Sequence, residues 1–163
     1  MRFHPSHPRL VGSAVALAAA ASLAMAVTTG TAQADGSGRD VLHAKLTGAA
    51  EVPGPGDPDG VGKARVYNDK DEPDIICVDL RVRDINRATA AHIHEAPVGV
   101  AGPVVVTLTA PIGGRSRACA VAGPVVGVTP EAVVADILAN PQDYYVNVHN
   151  SAFPGGAVRG QLR

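Results

Sequence analysis

DIICVDLRVRDI, residues 74–85, alternates with a period of two. Ile76, Val78, Leu80 and Val82 fall on one face of an extended chain, and Cys77, Asp79, Arg81 and Arg83 on the other. Successive side chains of a strand point to opposite faces, so this is the pattern of a strand with one buried side. The same pattern continues in both directions. In PVVVTLT (103–109), Val104, Val106 and Leu108 oppose Val105, Thr107 and Thr109. VGKARVY (61–67), YYVNVHN (144–150) and GAVRGQL (156–162) read as further strands. PGPGDPDGVG (53–62) and NDKDEPD (68–74) are Gly, Pro and Asp clusters of the kind that make turns. Many short strands with turn signals between them predict an antiparallel sandwich or barrel.

One segment departs from the rule. In TPEAVVADILANP (129–141), Thr129 is a candidate N-cap, Pro130 suits the first helical position and Glu131 the first turn. Val133, Val134, Ile137 and Leu138 share a helical face, and Pro141 marks the stop. One short helix is therefore expected near 130–139.

The first 34 residues read as a secretory signal peptide. A short basic start, MRFHPSHPR, precedes the apolar run LVGSAVALAAAASLAMAV, and TAQA ends it with small residues at Ala32 and Ala34. Cleavage after Ala34 leaves DGSGRD (35–40) as a flexible lead-in and a single domain over 41–163. No second long apolar run follows, so no membrane span is expected after cleavage. The expected location is secreted, extracellular, periplasmic or associated with the cell envelope.

Composition narrows the partners. Arg2 and Arg9 belong to the leader, so the 14 Lys and Arg fall to 12 against 15 Asp and Glu, a net charge of −3. That balance argues against a phosphate-binding surface. Beyond the leader the aromatic residues are Tyr67, Tyr144, Tyr145 and Phe153, too few for a nucleic-acid stacking platform. No nucleic-acid partner is expected; an extracellular or cell-envelope protein is the partner class left open. Cys77 and Cys119 are the two cysteines. Export takes them to an oxidising compartment, so one disulfide is expected. Service as metal ligands is the alternative, and it lacks a Cys-x-x-Cys spacing.

The chemistry-bearing residues are histidines. His92 and His94 alternate in AHIHE, so on a strand both project to one face about 7 Å apart. In YYVNVHN, Tyr145, Asn147 and His149 share a face. If the two strands are neighbours, His92, His94 and His149 can surround a copper or zinc ion. His43 is a more distant fourth candidate. The competing role is structural, with the His-x-His pair holding the backbone of the Gly-rich turn GVAGP (99–103). Arg159 is a second polar residue within a strand-like run. It either pairs with a carboxylate or lies over the histidines and steers an anion. The common catalytic signatures, Gly-x-Ser-x-Gly, His-Glu-x-x-His and a phosphate-cradling loop, are missing. No catalytic residue is assigned, and the sequence leans away from an enzyme.

Assembled, LTGAAEVP (46–53), AHIHEAPVGVAGPVVVTL (91–108) and ILANPQDYYVNVHNSAFPGGAVRGQL (137–162) resemble, in their order, a CHRD domain. This module is repeated in the secreted antagonist chordin and stands alone in bacterial proteins. The resemblance implies a β-sandwich and carries no established catalytic activity. A weaker likeness is to copper/zinc superoxide dismutases. AHIHE is similar to their His-x-His strand, and VNVHN with GGAVRG is similar to their last copper-histidine strand and the arginine segment after it. That likeness implies His92, His94 and His149 as copper ligands and Arg159 as the arginine that attracts superoxide. It departs in the metal bridge, because residues 110–128 hold no histidine for the bridging position or the zinc set. The fold expected is a mostly-β, antiparallel Greek-key sandwich, superoxide dismutase-like or immunoglobulin-like. The function expected is an exported binding module with a three-histidine metal site. The alternatives are a copper redox enzyme of dismutase type and a purely structural or adhesive cell-envelope domain.

Overall fold

Each alternating segment forms a strand in the computed structural model, which describes residues 40–123 and 125–163. The expected signal peptide and residues 35–39 of the lead-in lie outside the described residues. Eight strands follow in order: β1 (Val41–Thr47), β2 (Val61–Asn68), β3 (Ile75–Arg83), β4 (Ala88–Glu95), β5 (Val104–Leu108), β6 (Arg115–Val121), β7 (Tyr144–Asn150) and β8 (Val158–Gln161). All neighbours are antiparallel, in the order β5-β4-β7-β8-β1-β2-β3-β6. The two ends of this sheet approach one another, and the Gly123 N–H donates to the Val105 carbonyl at 2.7 Å just beyond β6. The sheet is thus nearly closed. Chain order is broken at β3–β6 and β4–β7, which makes the topology a Greek key.

The inner faces meet in one apolar core. Leu42, Ala44 and Leu46 of β1, the Ile76 to Val82 row of β3, Ile93 of β4, and Val146 and Val148 of β7 are all buried in it. Helix α1 (Pro130–Ala139) adds Val133, Val134 and Ile137 to the same core. The Thr129 hydroxyl accepts a hydrogen bond from the Ala132 N–H, satisfying one of the donors a helix start leaves unpaired.

Cys77 and Cys119 are direct partners across β3 and β6 and form a disulfide. It closes a 42-residue separation, worth about 4 kcal/mol on the chain-entropy account. One strand differs from its sequence pattern. In β5, Val105 and Val106 are both buried while Val104 is exposed. The β4–β5 register shifts between Ile93 and His94, so Ile93 pairs with Val106 and His94 with Val104. Val105 is the extra residue of a bulge, which is why strict alternation fails there. Among the described residues, no helix is long and apolar enough to cross a membrane.

Candidate metal centre

The site lies on the outer face of the β4–β7–β8 part of the sheet. Ala91 and Ile93 take the core positions of β4, so His92 and His94 face outward. Register then sets their neighbours. His92 pairs with Asn147, His94 with Tyr145, and Ala90 with His149. Asn147 and Tyr145 in turn pair with Arg159 and Gln161 of β8. His149 is therefore the diagonal neighbour of His92, within reach of a side chain of this length.

The three imidazoles converge. Nδ1 of His92 lies 3.0 Å from Nε2 of His149. One ring nitrogen from each of His92, His94 and His149 falls within 4.8 Å of the other two, near enough for the three to hold a metal ion. His43 is not among them; it sits on β1 opposite Arg65.

Hydrogen bonds to carbonyls fix two of the tautomers. Nδ1 of His94 lies 2.9 Å from the Gly102 carbonyl, and Nδ1 of His149 lies 3.0 Å from the Pro154 carbonyl. A carbonyl only accepts, so each Nδ1 carries the proton and each Nε2 keeps its lone pair. Nε2 of His94 is buried with no hydrogen-bond partner. Nε2 of His149 is then the acceptor for His92, whose Nδ1 supplies the proton. Loop fixing by His94 uses Nδ1 alone, which leaves the opposite nitrogen of the same ring open to a ligand role.

Electrostatics keeps the rings neutral. Burial, reinforced by the charges His149 and His94 would carry, pushes His92 down to about 4. Burial lowers His94 and His149 as well, against the opposing carbonyl bonds to Gly102 and Pro154. Neutral imidazole is the form that binds a metal.

A second layer of polar residues surrounds the cluster. Tyr145 stacks on His94 with ring centres 4.7 Å apart and planes within 5°. The Arg159 guanidinium lies 3.4 Å over the Tyr145 ring. Arg159 is only 2 % exposed, and its two terminal nitrogens donate to the carbonyls of Val100 (2.8 Å) and Pro97 (3.0 Å). Gln161 donates to the Ala96 carbonyl, and the Gly102 N–H donates to the Tyr145 hydroxyl. The 96–102 segment is thus tied down at four residues, Ala96, Pro97, Val100 and Gly102. Gly102 admits no side chain, since a Cβ there would sit 1.9 Å from the Glu95 carbonyl oxygen.

One further residue carries no signal in the sequence. Glu51, 8 % exposed, accepts both hydrogen bonds of the Asn147 amide, at 2.8 and 2.9 Å. Burial raises Glu51 to about 7, against the opposing charge of Arg159 and the bonds from Val52 and Asn147. The carboxyl sits under Gly156, where a Cβ would approach it to 2.3 Å and where φ is +149°. Glu51 follows two alanines in an irregular segment, so neither periodicity nor spacing singles it out.

With this geometry in place, the comparison with known families has a definite meaning. The CHRD domain matches residues 42–162, from β1 to the end of β8. The chain belongs to the CHRD domain family. No curated protein and no solved structure shows significant similarity to it. The CHRD match spans all three histidines, the Gly-rich segment that His94 holds, Glu51 and Arg159.

Proposed function

We propose that this CHRD domain is an exported module that holds one copper or zinc ion through Nδ1 of His92, Nε2 of His94 and Nε2 of His149. The observation that carries the proposal is the buried Nε2 of His94. Its lone pair has no partner, and the Gly102 carbonyl has taken the proton-bearing side of the ring. A buried polar nitrogen left bare costs stability, and a metal ion is the partner that three neutral imidazoles fit once His92 shifts its proton from Nδ1 to Nε2. The outer ring nitrogens of His94 and His149 are bonded to carbonyls in the way that orients metal-binding histidines generally. The ligand type suits both metals, with copper(II) the tighter binder of an all-nitrogen set. Among the described residues no carboxylate or thiolate joins the three, so any fourth ligand comes from water or from a partner. The disulfide supports export, since such bonds persist in oxidising compartments.

Arg159 serves in this account as a clamp on the 96–102 segment. Its carbonyl partners stand where the sequence suggested a carboxylate, and its burial leaves it poorly placed to steer an anion. The dismutase-type alternative rests on the same three imidazoles. It requires that the copper-loaded protein remove superoxide faster than free copper does, and failure of that assay leaves the binding proposal standing.

Isothermal titration of the purified protein with Cu(II) and with Zn(II) tests the binding. One ion per chain with a dissociation constant below about 10 µM is expected. His149→Ala should weaken that binding by about tenfold or more while staying folded. An equal response from wild type and His149→Ala, or no binding at that level, assigns the histidines to structure.

A further inference from the structure

A second feature lies on the other half of the sheet. Lys45, Lys63, Arg81 and Arg115 are successive cross-strand partners on β1, β2, β3 and β6. All four point outward and are exposed. They form one cationic rung across four strands, about 14 Å long at ~4.8 Å per strand. Two residues along, the next outward row reads His43, Arg65, Asp79, Arg117. Arg163 and the β1, β2 and β3 members of these rows line a concavity of about 580 Å³. Asp79 is the one carboxylate in the rows, and it lies 3.6 Å from Arg81. Among the described residues, Lys45, Lys63, Arg65, Arg115 and Arg163 have no carboxylate within 4.0 Å.

This arrangement runs against stability. Like charges directly opposite on neighbouring strands repel, and here three consecutive pairings are of that kind. A net charge of −3 for residues 35–163 conceals the segregation, because seven of their 12 Lys and Arg lie in these rows or beside them. A periodic cationic face with Asp79 as its one carboxylate calls for a periodic polyanion.

We propose that this face binds a linear anionic polysaccharide, its carboxylate or sulfate groups seated on the Lys45–Lys63–Arg81–Arg115 rung. The strand spacing is comparable with the advance of one sugar residue, so successive sugars meet successive cations. The forked Arg side chains match planar carboxylates and sulfates. The rows contain no Phe, Tyr or Trp on which a nucleic-acid base would stack. They also contain no apolar side chain to anchor in a bilayer. The face lies apart from the three histidines, and its partner does not depend on a metal.

Binding of the purified protein to immobilised polygalacturonate and dextran sulfate tests the proposal, with neutral dextran, oligothymidine and phosphatidylglycerol vesicles as the other arms. Tighter binding to an acidic polysaccharide than to all three, weakening as salt is raised, is expected. Lys63→Glu/Arg81→Glu should weaken it by about tenfold or more, and Lys70→Glu/Arg87→Glu, with the same charge change elsewhere, by about twofold at most. The rung variant should melt close to wild type, because it turns two of the three rung repulsions into attractions at the cost of the Arg81–Asp79 contact. Should it fail to fold, Lys63→Gln/Arg81→Gln takes its place with a loss of about fivefold. Binding no tighter than to neutral dextran, a preference for oligothymidine or vesicles, or equal losses in the two charge-reversal variants would overturn it.

Discussion

His92 and His149 meet across the β4–β7 pair with Nδ1 of the first 3.0 Å from Nε2 of the second. Because His149 spends its own Nδ1 proton on the Pro154 carbonyl, the proton between the two rings belongs to His92. A metal ion held by both nitrogens must take the place of that proton, which moves to Nε2 of His92. Nitrogen-15 NMR of the zinc-loaded protein should therefore show His92 changing tautomer, while His94 and His149 keep theirs. Retention of the Nδ1 proton on His92 at saturating zinc would refute the proposed ligand atom.

Arg159 joins the histidine-bearing face to the loop over it. Replacing it with Ala removes two charged hydrogen bonds and the contact with Tyr145, at a cost of about 2–4 kcal/mol. Arg159→Lys should recover little, since one ammonium does not reproduce a fork between Pro97 and Val100. Both are read from denaturant midpoints. A loss below about 1 kcal/mol would show that the clamp is unimportant.

The pH dependence of stability isolates Glu51. Its folded value is raised from 4.5 to about 7, so the folded state holds the proton more tightly than the unfolded chain. The stability contributed by protonated Glu51 is fully present below about 4.5 and is lost as pH rises to about 7. Glu51→Gln keeps an acceptor for Asn147 and does not ionise. Relative to wild type, this variant should gain stability between pH 5 and pH 8, by on the order of 2 kcal/mol. Comparing the two proteins cancels the histidines, whose lowered values act oppositely by destabilising the fold as pH falls below about 6.5. A difference that stays flat across this range would contradict an ionising, buried Glu51.

Cys77→Ala/Cys119→Ala should lower stability by about 4 kcal/mol, measured by chemical denaturation. The pair bridges β3 and β6, whereas the ligands stand on β4 and β7. Metal affinity of the folded variant should stay within about twofold of wild type. A loss of metal binding with the fold intact would place the disulfide in the site.

Much of this was legible because strands write their faces into the sequence with a period of two. The core rows of β3, the outward pairing of His92 with His94, and the shared face of Tyr145, Asn147 and His149 all follow from alternation. The helix over 130–139 was legible from its cap and its Pro. Alternation failed at Val105, where the bulge lets two adjacent residues face inward. Glu51 was invisible because it lies outside any repeating element and meets Asn147 across 96 residues. The partners of Arg159 were equally hidden, since backbone carbonyls 59 and 62 residues away leave no mark in composition. The cationic rung lay between these cases. Each strand shows its outward Lys or Arg, but only the register places Lys45, Lys63, Arg81 and Arg115 in one line.

The account stands on three imidazoles sharing one ion, and the coordination shell of the copper-loaded protein measures that directly. X-ray absorption and electron paramagnetic resonance should count three imidazole nitrogens at about 2.0 Å in wild type and two in His149→Ala. A shell with one imidazole or none, or a count of three that survives His149→Ala, would contradict it.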